Sequence, residues 1–141
     1  MEIVNDTRFL CPCCGYPTLD ERAAYDICVL CNWEDYGQDD LDADLIKGGP
    51  NGCYSLTEAR DNFKKYLIMY SSDRDMRITG YDTKEEKTIK KELIEVYNKI
   101  MKEKNSIQLD KAWNLAYNLE DRLHKITLEK IREYENNLKR K

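Results

Sequence analysis

Apolar residues recur every three or four positions through most of the second half of the chain. They do so hardly at all in the first fifty residues. Leu56, Ala59, Phe63, Tyr66, Leu67 and Tyr70 follow that spacing, which places them on one face of a helix. Ser55-Leu56-Thr57-Glu58 precedes them as a capping box. In that motif the Ser55 hydroxyl and the Glu58 side chain each satisfy a free backbone N–H. Residues 71–82 carry Ser, Asp, Arg and Gly80 and read as a loop. A second capping box, Thr83-Lys84-Glu85-Glu86, opens a second helix with the stripe Ile89, Leu93, Val96, Tyr97, Ile100 and Met101. Asn105-Ser106 interrupts it. A third helix is expected from about Leu109 towards Leu138, with the stripe Ala112, Leu115, Ala116, Leu119, Leu123 and Ile126 continuing through Ile131 and Tyr134. Two long helices with a short break between them favour antiparallel packing.

The first segment reads differently. Gly48-Gly49-Pro50-Asn51-Gly52 marks a junction, because Gly and Pro favour turns there. What precedes it reads as short strands and turns, with too few apolar residues for an ordinary core. The division expected is therefore residues 1–54 as one small module and residues 55–141 as a helical region packed on it.

Something other than apolar burial must hold the first module, and cysteine supplies a candidate. Cys11-Pro12-Cys13-Cys14-Gly15 and Cys28-Val29-Leu30-Cys31-Asn32 each contain a C-x-x-C pair, with thirteen residues between Cys14 and Cys28. Two such pairs suit a tetrahedral site of four sulfurs, Cys11, Cys14, Cys28 and Cys31. The residue after each pair must often take a left-handed conformation. Gly does so at no steric cost and Asn is the next best choice, which is what Gly15 and Asn32 provide. A four-thiolate site takes zinc or iron. Zinc would be structural, since a closed site has no open position for substrate; iron would make a rubredoxin-like electron carrier. Zinc is the reading favoured here. Cys13 reads as a turn residue beside the metal and Cys53 as a small buried hydrophobe.

Charge refines the picture. Residues 1–54 hold three basic against eleven acidic side chains, net −8, and residues 55–141 hold twenty against sixteen, net +4. A module this acidic repels nucleic acid and suits a basic protein surface. Trp33, Glu34, Asp35, Asp39, Asp40, Asp42 and Asp44 are the candidate partner-binding residues, with Trp33 read either as a packed lid or as an exposed anchor. An EF-hand loop starting at Asp40 would need Gly at 45 and Glu at 51, where the chain has Leu45 and Asn51, so a solvated acidic loop is expected. His124 is the only histidine, and no G-x-S-x-G, P-loop or H-E-x-x-H occurs, so no enzyme is expected. No run of about 18 apolar residues exists to span a membrane. The first residues show no basic stretch leading into an apolar one, so a cytosolic protein is expected.

Several separated motifs carry a family resemblance. They are Cys11-Pro12-Cys13-Cys14-Gly15-Tyr16, Tyr25-Asp26-Ile27-Cys28, Cys31-Asn32-Trp33-Glu34-Asp35, Gly48-Gly49-Pro50-Asn51 and Ser55-Leu56-x-Glu58-Ala59-Arg60-x-Asn62-Phe63. Together, over roughly residues 9–68, they resemble the bacterial cysteine-rich CPCC family. Members often carry a proline in the second knuckle, where this chain has Val29. The resemblance implies the metal site but no established activity; some members occur in toxin–immunity settings. The expected fold is α+β, a small rubredoxin-like zinc ribbon followed by about three helices. The expected function is that of a cytosolic protein-binding module with one structural zinc, which binds a basic partner such as a toxin. A nucleic-acid-binding ribbon and an iron electron carrier are the alternatives, and the oligomeric state stays open.

Overall fold

The computed structural model describes residues 8–71 and 82–139. Strand β1 (Phe9–Leu10) pairs antiparallel with β2 (Pro17–Leu19), Phe9 opposite Leu19 and Leu10 opposite Pro17. Two single turns of 3-10 helix follow, Asp40–Asp42 and Gly49–Asn51. Three helices complete the chain: α1 (Leu56–Tyr66), α2 (Lys84–Lys102) and α3 (Ser106–Lys139). This is an α+β, zinc-ribbon-like architecture, with the small sheet beside the cysteines. No helix among the described residues is long and apolar enough to cross a membrane.

Helices α1 and α2 begin where their caps predict. The Ser55 hydroxyl accepts from the Glu58 N–H at 3.0 Å. Thr83 and Glu86 form the full reciprocal box at the start of α2. Helix α1 ends sooner than its stripe suggests, because Leu67 turns left-handed (φ 63°) and its N–H bonds Phe63 O. Leu67 and Tyr70 therefore lie outside the helix, although Ile68, Met69 and Tyr70 are still buried. The buried ammonium of Lys90 on α2 fixes this unusual ending by donating to Leu67 O at 2.9 Å. The loop expected over residues 71–82 lies, apart from its two ends, outside the described residues.

Helix α3 starts one turn earlier than expected, with the Asn105 side chain accepting from Gln108 N at 3.0 Å. It runs antiparallel to α2: Tyr97 donates to Glu120 near the middle of the pair, and Lys130 meets Glu86 close to the start of α2. Ile89, Leu93, Tyr97 and Ile100 pack against Ala112, Trp113, Ala116, Leu119 and Leu123. The expected stripe is too broad at its edges. Leu115 and Met101 are each about half exposed, while Trp113 belongs to the buried face. Ile131 and Tyr134 are also exposed, because α3 has 34 residues to α2's 19 and outruns its partner.

The buried residues of the ribbon and of the helices form one continuous cluster. Tyr16, directly after the first knuckle, stacks on Tyr97 of α2 (centroids 5.8 Å apart) and meets Phe63 of α1 edge-on. Arg8 forms a two-pronged ion pair with Glu120 of α3 (2.7 and 2.9 Å) and lies over the rings of Trp113 and Tyr117. A bidentate, stacked guanidinium is a firm tie, and here it links residue 8 to a helix more than a hundred residues away.

Candidate metal centre

Each C-x-x-C pair lies in a tight turn, and the two turns share one hydrogen-bond pattern. In the first, Gly15 N donates to Cys11 O (2.8 Å) and Cys11 N to Tyr16 O (2.9 Å). In the second, Asn32 N donates to Cys28 O and Cys28 N to Trp33 O, both at 2.9 Å. Both turns need a left-handed residue in the same place, which Gly15 (φ 80°) and Asn32 (φ 73°) provide. The β1–β2 hairpin carries the first knuckle. An antiparallel bridge between Ile27 and Glu34 closes the second.

The two turns bring four sulfurs together. Cys11 Sγ lies 3.7 Å from Cys31 Sγ and Cys14 Sγ lies 3.7 Å from Cys28 Sγ, and all four are within 4.8 Å of one another. A tetrahedral ion with bonds of about 2.3 Å to sulfur has sulfur–sulfur edges of about 3.8 Å. A disulfide would need about 2.0 Å, and all six cysteines are free. The donor set thus fits a single tetrahedral metal ion. Cys11, Cys28 and Cys31 are buried and Cys14 is partly so, which leaves little room for an additional ligand.

Electrostatics point the same way. Burial, reinforced by the neighbouring sulfurs, pushes the Cys14 thiol well above its ordinary range. Burial is also the largest influence on Cys31, which is raised as well. For Cys11 the bond with Cys14 pulls downward, but contacts with Cys28 and Cys31, together with burial, outweigh it. Cys28 alone goes down. Burial opposes its ionisation, yet bonds from Cys11, Cys14, Cys31 and the Thr18 hydroxyl (3.0 Å) stabilise its thiolate. Of the four sulfurs, Cys28 is the one whose surroundings favour the thiolate. Four thiolates at this spacing require a cation among them.

The surroundings hold the knuckles in place. Arg60 of α1 donates to Pro12 O (2.9 Å), and Met69 N donates to Cys31 O (2.9 Å). The buried Asn51 amide pairs with both backbone groups of Glu34, Glu34 N to Oδ1 at 3.0 Å and Nδ2 to Glu34 O at 2.8 Å. Asn51 therefore takes the place of a neighbouring strand, which gives the Gly48-Gly49-Pro50-Asn51 motif a physical purpose. Asn62 does similar work by donating to Met69 O. None of these long-range bonds has a local sequence signal beyond the family motifs themselves.

The remaining candidates separate into packed and exposed. Trp33 is fully buried in the core cluster, so it is a packed residue and not an exposed anchor. Asp35 is equally buried; its carboxylate accepts from Arg22, Ala23 N and Gly37 N and pins that loop, so it too leaves the partner surface. Glu34 is half-buried beside Asn51. Asp39 and Asp42 cap the first 3-10 turn reciprocally, and Asp42 also pairs with Lys47. Asp40 and Asp44 are exposed, Asp40 meeting Arg60 and Asp44 accepting from the Thr57 hydroxyl. Cys13 is buried beside the metal knuckle, as expected, whereas Cys53 is exposed and not the buried hydrophobe its apolar character suggests.

Paired knuckles around a four-sulfur cluster, on a two-stranded sheet backed by helices, define the chain as a zinc-ribbon-like protein with a candidate metal centre. The model of the Cysteine-rich CPCC family matches residues 9–87, more than half of the sequence, and the chain belongs to that family. The match runs further than the motifs alone, through the whole of α1 and into the first turn of α2. No curated protein and no solved structure matches the chain.

Proposed function

We propose that the chain is a cytosolic structural-zinc protein whose ribbon serves as a protein-binding module. The four sulfurs of Cys11, Cys14, Cys28 and Cys31, all within 4.8 Å of one another, carry the metal half of this reading. Four thiolates suit zinc or iron, and zinc is the ion proposed here; the closed site leaves no position for substrate, which suits a structural ion. The same closure supports a non-catalytic role. Reduced, clustered thiols suit a reducing compartment.

The acidic first segment supports the binding half, since net −8 over residues 1–54 disfavours nucleic acid and suits a basic protein surface. The first experiment follows the far-ultraviolet circular dichroism of the purified chain during titration with a strong zinc chelator. Loss of ordered signal together with release of one zinc supports the structural role. An unchanged spectrum after complete metal removal contradicts it.

A further inference from the structure

The first 3-10 turn places Leu41 at its tip, 105% exposed, and the same loop leaves Leu45 (56%) and Ile46 (63%) in solvent. One exposed leucine on a protein surface is ordinary, but three large aliphatic side chains in solvent within six positions of one loop are not. The loop is also held from within. The Gln38 side chain, 1% exposed, donates to both Asp42 O and Leu45 O at 2.8 Å. Asp39 and Asp42 cap the turn reciprocally, and Thr57 N donates to Ala43 O (2.9 Å) to tie the loop to α1. Only Ala43 turns inward and is buried. The fold thus spends a buried amide and a capping box on keeping aliphatic side chains outside.

Charge identifies what fits over them. Asp39, Asp40 and Asp42 pair with Arg22, Arg60 and Lys47, Arg22 also bonds the buried Asp35, and the exposed Asp44 meets the uncharged Thr57 hydroxyl, so the loop keeps a net negative charge. A second copy docking on the same loop would set like charge against like, and nucleic acid would meet the same repulsion. We propose that residues 40–46 form a docking knob for a different protein, one whose surface offers an apolar hollow edged by lysine or arginine. This rests on the protein-binding reading above and names its contact surface. Leu41, Leu45 and Ile46 are the anchors, and Asp40 and Asp44 meet the basic rim. Asp39 and Asp42 belong to the scaffold of the loop, so they serve the contact indirectly.

The test places the photo-crosslinking residue benzoylphenylalanine at position 41, 46 or 129 of the full chain in its source cells. Position 129, on the exposed face of α3, is the comparison. The expected result is a crosslink from 41 and 46, not from 129, to another protein at an apolar peptide flanked by Lys or Arg. Leu45→Asp in the same background lowers its yield about tenfold or more, as loss of an interface anchor does. Asp40→Asn with Asp44→Asn lowers it several-fold at low salt, with the gap closing as salt rises. Unchanged metal content and circular dichroism show that these variants still fold.

Crosslinking from 41 to a second copy, to nucleic acid, or to a protein whose capture survives Leu45→Asp overturns the proposal. Crosslinking from 129 alone overturns this surface and leaves protein binding standing. No crosslink from any of the three positions overturns both.

Discussion

Cys28 differs from its three companions in how it holds its proton. The Thr18 hydroxyl and three thiols bond to its sulfur and favour its thiolate, whereas Cys11, Cys14 and Cys31 are all raised and stay protonated near neutral pH. Zinc must then displace several thiol protons at pH 7, and its affinity climbs with pH as the thiols ionise. Calorimetric zinc titration in buffers of different ionisation enthalpy reads that number directly; release of one proton or none contradicts the assignment. Backbone demands at the knuckles are just as specific. Asn32 is left-handed, so Asn32→Ala costs about 1 kcal/mol, while Asn32→Gly is tolerated. Chemical denaturation with zinc present distinguishes the two. These positions were legible in the sequence, because ligand spacing and the need for Gly or Asn after each pair are local. Asn51 and Gln38 were not. Their work is to bond backbone groups distant in sequence or hidden in a turn, and no periodicity records that. Trp33 and Asp35 were legible as candidates but not as buried ones, since a tryptophan or a carboxylate carries no mark of burial in its own sequence.

At the scale of elements, caps were easier to read than ends. The starts of α1 and α2 follow from the Ser55 and Thr83 hydroxyls, but α1 ends at Leu67, a left-handed residue with no glycine to announce it. What holds that end is Lys90, a residue that resembles any other lysine of a charged helix. Its ammonium is buried between Leu67 O and the Asp82 carboxylate (2.6 Å). Burial, the largest influence on Asp82, lifts its pKa above the ordinary carboxylate value, and Lys90 opposes that lift. Lys90→Met leaves a buried carboxylate without its cation, and breaking such a pair destabilises by about 3–5 kcal/mol. A carboxyl with a raised folded pKa binds its proton more tightly in the native state, so its penalty applies above the unfolded value near 3.8 and shrinks on acidification. Lys90→Met should therefore recover part of its lost stability as the pH falls from neutrality towards the ordinary carboxylate range. Thermal melts across that range check it; a loss that stays constant or grows on acidification contradicts the role given to Asp82.

Across the whole molecule, the ribbon and the helical hairpin share their core. Tyr16 on Tyr97, Arg8 in the fork of Glu120, and Arg60 on Pro12 O all cross from one to the other. The family match likewise runs across residue 54 without a break. With such coupling, loss of a structural ion should be a global event. Stripping the ion should lower the melting of α2 and α3 as well as of the ribbon, in a single transition. Two separate transitions, with the hairpin unchanged, would show that the halves fold independently. The sequence division at residue 54 followed a change of composition, and composition is silent about side chains that reach across it.

The central claim is that Cys11, Cys14, Cys28 and Cys31 hold one zinc ion that the fold requires. Native mass spectrometry of the full chain, with metal identified by elemental analysis, tests it most directly when wild type and Cys28→Ser are compared. The account predicts one zinc per wild-type chain and little or none in the variant, which should also lose the compact charge-state distribution of a folded protein. A compact wild-type chain without metal, or a Cys28→Ser chain that keeps its zinc, would contradict it.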